Sequence, residues 1–392
     1  MYRERWISWG LKGVALAVFC ILAVWAGQAQ KDGQKEGGIS SNQWRLADPI
    51  RYQNLSVFPV VGRQSADTSS FATLDESLSS GQVIITEGGA DAVRRSRDGH
   101  TVAIPEQHGA SVNQLVLVNR GSKPLLLLAG ELVSGGKQDR IIAKDRIVLP
   151  GAAPLPLDVF CVEAGRWSAG AQFSAGQLMV HPSVREQAVV VQEQAKVWEA
   201  VRNGTAAAPP PPPGTAQVGG VPGQMSQTVT VTSEALAGVI QTEAPTQSYG
   251  RMYKSPQVGV PADTFTEEVQ RRFDRATAKL KGEDVVGVVV AYGGEVAWSD
   301  IFASPALFKR YWPKLLRSYV IEGLTRPQNG EQPSMDDARE FLKPLAGHES
   351  IETDPAIYSL RQVTEGKYVE MELQALRPAE ITLHVLKLHR AS

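Results

Sequence analysis

The most informative stretch of the chain is Pro124-Leu125-Leu126-Leu127-Leu128-Ala129-Gly130-Glu131-Leu132-Val133-Ser134-Gly135-Gly136-Lys137-Gln138-Asp139-Arg140. Four leucines in a row show no polar alternation, so they read as a short strand buried on both faces. Such a strand needs an apolar layer on each side. The surrounding sequence supplies them. Leu55–Val61, Val83–Glu87 and Leu115–Asn119 lie upstream, and Arg146–Pro150 and Leu155–Val162 downstream. All have strand texture and most end in turn residues. Only Leu74–Leu78 predicts a helical turn in this half.

The texture changes after about residue 180. Ser183 and Glu186 have capping-box spacing. Ala188, Val191, Ala195 and Trp198 follow at helical intervals. Five consecutive prolines, Pro209–Pro213, sit in an insert spanning about 205–225. They cannot join a helix or an inner strand and read as a stiff exposed spacer. Thr264–Glu267 opens a helix with Phe265, Val269 and Phe273 on one face. Val285–Tyr292 and Glu295–Phe302 flank Gly293-Gly294 as a hairpin. Ser304-Pro305 caps a helix carrying Leu307, Tyr311, Leu315 and Tyr319, with Pro313 expected to kink or break it. A last helix near Met335–Leu342 and strands near 367–373 and 380–387 close the chain. No internal repeat is present. The fold class expected is α+β: a β-rich N-terminal half of short, mostly antiparallel strands, then a mixed helix and strand C-terminal half in one compact unit.

Composition narrows the function classes. The chain has 392 residues, with 40 Lys+Arg against 41 Asp+Glu and 43% hydrophobic residues. A net charge of −1 argues against general nucleic-acid binding, which requires a basic surface. Two cysteines make neither a disulfide framework nor a zinc site. The first 29 residues read as a signal peptide. Arg3, Arg5 and Lys12 precede an apolar run from Val14 to Ala26, which is short of the about 20 residues of a spanning helix. Ala29 ends a small-residue cleavage site. Residues 30–48 read as a flexible tether. The expected location is therefore secreted or periplasmic, with an uncleaved N-terminal membrane anchor as the alternative. Cleavage removes Cys20 and leaves Cys161, either a buried inert thiol or a reactive one.

Two segments gather chemistry. In the first, Gly135-Gly136 permits a tight turn whose consecutive amides can form an anion-binding nest. Lys137 and Arg140 add positive charge, Gln138 shares a face with Arg140 if the segment is extended, and Glu131 offers a carboxyl group. It is no P-loop: Glu131 stands where the first glycine belongs, and Gln138 where Ser or Thr belongs. The structural alternative is a charged hairpin turn. In the second, Leu155–Trp167, strand parity puts Leu155, Leu157, Val159, Cys161 and Glu163 on one face. A carboxyl at the end of an apolar face would have a raised pKa. Arg166 can neutralise it or hold an anion, and Trp167 can stack on a ligand or cover the core. The six histidines show no metal spacing, and no Gly-x-Gly-x-x-Gly follows a strand. No metal and no cofactor are expected.

Taken together these motifs resemble the ARG and rhodanese-phosphatase-superfamily-associated protein domain, an uncharacterised family. The matching stretches are Leu55–Val60, Thr73–Leu78, Pro124–Arg140, Cys161-Val-Glu-x-Gly-Arg-Trp167, Val286–Val290, Asp300–Phe302 and Tyr311-Trp-Pro-Lys-Leu-Leu-Arg-Ser-Tyr319. They cover roughly residues 50–345, with 346–392 as a C-terminal β extension. The family's name records association with ADP-ribosylglycohydrolase and rhodanese or phosphatase partners. The resemblance therefore implies a link to ADP-ribose or NAD-derived ligands and establishes no activity. The signal peptide and the proline-rich insert depart from the pattern.

Two functions are carried forward. One is an exported module that binds an anionic, ADP-ribose-like or nucleotide-like small molecule, or an envelope protein. It would use Gly135, Gly136, Lys137, Gln138, Arg140, Arg166 and Trp167. The other is a hydrolase-type enzyme with Glu131 or Glu163 as general acid/base and Lys137, Arg140 and Arg166 holding negative charge. Neither needs nucleic acid, and membrane contact would come only through an uncleaved leader.

Overall fold

The computed structural model describes residues 44–63, 65–87, 114–162, 172–203, 249–253, 255–280, 282–326 and 331–390. The leader and the proline-rich insert lie outside them. The chain opens with β1 (Trp44–Leu46), β2 (Ile50–Tyr52) and β3 (Leu55–Gly62). β1 falls within the stretch read as tether, where antiparallel pairing with β3 organises it. β4 (Ala72–Thr73) leads into the short α1 (Leu74–Ser79). Strands β5 (Val83–Glu87), β6 (Gln114–Asn119), β7 (Leu125–Leu127), β8 (Glu131–Gly135), β9 (Arg140–Ile142), β10 (Arg146–Val148), β11 (Leu155–Cys161) and β12 (Phe173–Met179) complete the β-rich half.

Next come α2 (Pro182–Glu186), a π-helical turn (Gln187–Val191), α3 (Gln194–Asn203), α4 (Tyr249–Met252) and α5 (Pro256–Thr277). The hairpin β13 (Asp284–Tyr292) and β14 (Glu295–Phe302) follows, then α6 (Pro305–Thr325) and α7 (Met335–Phe341). Four strands end the chain: β15 (His348–Asp354), β16 (Tyr358–Glu365), β17 (Tyr368–Ala375) and β18 (Ile381–His389). The fold is α+β, as the sequence predicts.

Among the described residues the strands form three sheets. A nine-stranded antiparallel sheet runs β1-β3-β13-β14-β18-β17-β16-β15, with β2 also on β3. A six-stranded sheet runs β12-β8-β9-β11-β6-β5, and a small sheet runs β10-β7-β4. The residues after 346 therefore extend the large sheet, with β18 hydrogen-bonded directly to β14.

The leucine run divides two cores. Leu126 and Leu128 face the larger one, built with α6, β13 and α5. Leu125 and Leu127 face the smaller one, with Val83, Leu115, Leu157 and Val159. All four leucines are fully buried. Leu132 and Val133, and Ile141 and Ile142, split between the cores in the same way, as the two-residue strand period requires.

Several local expectations change. Ser183 and Glu186 make no capping box: His181 is the N-cap residue, and the Ser183 hydroxyl instead donates to Glu322 Oε1 at 2.6 Å. Of the apolar face read through Ala188, Val191, Ala195 and Trp198, Ala188 is buried and the rest is displaced; Val184, Ala188, Val189, Val197, Ala200 and Val201 are the buried apolar residues. The π turn and the left-handed Gln192 (φ 57°) shift the helical phase between α2 and α3. α5 starts two turns before Thr264 and passes through Pro261. α6 runs unbroken through Pro313, which lies on its exposed side with Lys309, the residue whose carbonyl it leaves without a helical donor.

Candidate functional site

The β8–β9 hairpin is built on its glycines. Gly135 and Gly136 have φ of 123° and 55°. A Cβ on Gly135 would stand 2.6 Å from the Gln172 carbonyl, and one on Gly136 would enter the Phe173 ring. The turn therefore closes tightly onto β12. Its three amides are all taken up within the chain, two of them by carboxylates. Gly135 N–H donates to Asp139 Oδ1 at 3.1 Å, Lys137 N–H to Glu87 Oε1 at 2.8 Å, and Gly136 N–H to the Gln172 carbonyl at 2.9 Å.

Arg140 lies beneath this turn, 1% exposed. Its Nη1 donates to Gln138 Oε1 at 3.2 Å, which places the two side chains together as the alternation predicts. Nη1 also reaches the Asp139 carbonyl at 3.4 Å, and Nη2 lies 3.9 Å from the Glu87 oxygen that serves Lys137. Its Nε is buried with no hydrogen-bond partner among the described residues. A buried guanidinium so loosely paired is unusual, because each unsatisfied donor carries a desolvation cost of roughly 1–3 kcal/mol.

The two motifs meet here. Cys161 is the direct register partner of Arg140 between β11 and β9. Val162 N–H then donates to the Asp139 carbonyl at 3.3 Å, so β11 ends against the turn. Cys161 is fully buried. The Gln194 amide clamps its backbone, accepting from Cys161 N–H at 2.8 Å and donating to its carbonyl at 2.7 Å. Glu163, Arg166 and Trp167 lie outside the described residues. α4 abuts the same turn: a Cβ on Gly250 would lie 3.5 Å from Asp139 Oδ2.

Glu131 is not part of this corner. It starts β8, at the end away from the turn, and is 1% exposed. Its Oε2 accepts from Leu128 N–H at 2.7 Å, and its Oε1 is ion-paired to Lys314 of α6, which also binds Asp75 Oδ2 at 2.9 Å. Burial raises the Glu131 pKa; Lys314 opposes and Asp75 adds to the rise. Burial would lower the Lys314 pKa, but Glu131 and Asp75 outweigh it and hold the ammonium charged. Both carboxylate oxygens of Glu131 are thus committed to partners within the chain.

A second buried cluster was not read from the sequence. Asp300 on β14 accepts from Arg185 Nη1 at 2.8 Å and from Trp298 Nε1 at 2.8 Å, and it also bonds the Tyr319 hydroxyl. His384 bridges Asp300 Oδ1 at 3.0 Å and Asp145 Oδ2 at 2.6 Å. Asp145 Oδ1 accepts from Ala129 N–H, and Arg185 Nε donates to the Ala129 carbonyl, both at 2.7 Å. Burial alone would raise the Asp300 pKa, but Arg185, His384 and Tyr319 hold it far below the usual carboxylate range. Burial opposes charge on His384, yet Asp145 and Asp300 push it up to about 9. All four charged groups are at most 2% exposed and are paired with one another, so the cluster ties sheets and helix together. Its members are scattered from 145 to 384. The one sequence signal is Asp300 near the apolar end of β14, between Trp298 and Ile301-Phe302.

Elsewhere, a groove of about 900 Å³ lies beside β18 and α7 and includes Tyr368, Phe341, Glu295 and His389. None of the motif residues lines it, and His389 already pairs with Glu295 at 2.6 Å.

The model of the ARG and Rhodanese-Phosphatase-superfamily-associated Protein domain matches residues 43–387. No curated protein and no solved structure matches the chain. The family match takes in every described strand except the last two residues of β18, and both motifs that meet at Arg140 and Cys161. The chain therefore belongs to the ARG and Rhodanese-Phosphatase-superfamily-associated Protein domain family.

Proposed function

We propose that this protein is an exported module that binds an anionic small molecule of the ADP-ribose or nucleotide type at the β8–β9 turn, without transforming it. The observation that supports this most is Arg140, a buried guanidinium that, among the described residues, pairs with Glu87 at 3.9 Å and has no partner at Nε. A phosphate reaching it would find a forked donor and the half-buried Lys137 beside it. Glu87 occupies the place such an anion would take, so binding exchanges an internal carboxylate for an external anion. Binding is favoured over hydrolysis because Glu131 is committed to Lys314. The link to ADP-ribose rests on the family's name, and export rests on the leader.

Thermal-shift and calorimetric titration with ADP-ribose, ADP, a sugar phosphate and inorganic phosphate test the reading. At about a hundredfold excess over Kd a ligand stabilises by about 2.7 kcal/mol. Glu87→Gln, which removes the internal competitor, is expected to tighten binding about tenfold, and Arg140→Lys to weaken it at least as much. A panel without any binder, or equal affinity in Arg140→Lys, overturns the proposal. N-terminal sequencing of the exported chain should begin at Gln30; a membrane fraction retaining Met1 would replace export with anchoring.

A further inference from the structure

The nine-stranded sheet ends on β15, a seven-residue strand paired only on its β16 side among the described residues. His348 to Thr353 are exposed on both faces of the sheet, and Ile351 at its centre is 56% exposed. Such an edge presents an open row of backbone donors and acceptors, and proteins normally guard it with charge. Here the two glutamates are already neutralised within the chain. Glu352 pairs with Lys144 at 2.7 Å, and Glu349 with Arg361 at 2.9 Å.

We propose that β15 is the interface of a homodimer, pairing antiparallel with β15 of a second copy about a two-fold axis at Ile351. The sequence His348-Glu349-Ser350-Ile351-Glu352-Thr353-Asp354 is self-complementary in that register. His348 faces Asp354, Glu349 faces Thr353, Ser350 faces Glu352, and Ile351 faces itself. No like charges stand directly opposite, and the exposed isoleucines cover one another. Other arrangements lose these features. A two-residue slip one way opposes Glu352 to Glu352, and the other way sets Ile351 against Glu349. A parallel in-register pair stacks every acid on its twin. The two-residue side-chain period excludes odd slips, because they would put opposite faces together. The result is one continuous sheet through both copies, with the isologous contact expected of a two-fold dimer.

The test uses the full chain, with Cys20→Ser in the cross-linking arms so that the fully buried Cys161 is the remaining native cysteine. Light scattering and sedimentation velocity should give a dimer. Ile351→Lys, which places two lysines opposite each other, should weaken association at least tenfold and remove the concentration dependence of Tm, while the Tm of the dissociated monomer stays at the wild-type value because the side chain is exposed there. Register is read by cross-linking: directly opposite Cα atoms lie about 4.5–5.5 Å apart, within disulfide range. Ile351→Cys alone should form a disulfide dimer on oxidation. Thr353→Cys alone should not, but should link when mixed with Glu349→Cys chains. A wild-type chain that stays monomeric, a dimer that survives Ile351→Lys, or Thr353→Cys linking as readily as Ile351→Cys overturns the proposal.

Discussion

Arg140 and Cys161 face each other across β9 and β11 as direct partners in an antiparallel pair. The pairing joins two motifs that are separate in sequence into one corner, held by the Gln194 clamp on one side and the Gly135–Gly136 turn on the other.

Cys161 should be chemically silent in the native state. It is fully buried, so a thiol reagent reaches it only through opening of the fold. In a Cys20→Ser chain, labelling should follow the unfolding equilibrium. Gln194→Leu, which removes both hydrogen bonds to the Cys161 backbone, should accelerate it about tenfold or more. Rapid labelling of the native protein would show the burial to be wrong.

Gly135→Ala should damage fold and site together. The residue has φ 123°, and an added Cβ would meet the backbone carbonyl of Gln172 at 2.6 Å, which no side-chain adjustment relieves. A loss of about 2–3 kcal/mol is expected from strain and overpacking, with β12 shifting away from β8. Urea denaturation measures the first, and loss of anion-induced stabilisation the second. A variant as stable as wild type would contradict the turn described here.

Stability should fall as pH rises past neutrality. His384 has its pKa pushed up from 6.5 to about 9 by Asp145 and Asp300 against the opposing effect of burial. A histidine raised above its unfolded value contributes fully below about pH 6.5, and its contribution disappears as pH climbs through about 9. The gap corresponds to about 3 kcal/mol. Denaturation curves across that window should show the decline in wild type and a flatter profile in His384→Gln, which can hydrogen-bond but cannot titrate. Identical slopes would exclude His384 as the source.

Breaking the Glu131–Lys314 pair should cost more than removing it. Lys314→Met leaves Glu131 buried without its cation, at a cost of about 3–5 kcal/mol. Glu131→Gln lowers stability with little effect on anion affinity, because Glu131 lies away from the turn. Glu131→Leu combined with Lys314→Met should recover most of the loss. A double-mutant cycle in urea reads the coupling, and additive losses would deny that the two side chains act as a pair.

The strands β5, β6, β7, β11, β13 and β14 were legible almost to the residue, because their apolar period and turn residues are local properties. β8 and β12 were not, since Glu131, Ser134 and the small residues of Phe173–Met179 give no strand pattern until each finds its partner. β15 and β16 were missed for the same reason, being polar strands at a sheet end. In the candidate site, the glycine turn and the shared face of Gln138 and Arg140 followed from spacing. The destination of Glu131 did not, because Lys314 lies on a helix far along the chain.

The sequence by itself determined the α+β class, the doubly buried leucine strand, the hairpin glycines and the family, all of which depend on pattern within short windows. Only the tertiary structure decided which charges meet. It paired Glu131 with Lys314, filled the turn's amides with Glu87 and Asp139, and enclosed His384 between Asp145 and Asp300. Electrostatic partners in a buried setting are chosen by distance in space, and distance in space between remote residues is fixed only when strands and helices pack.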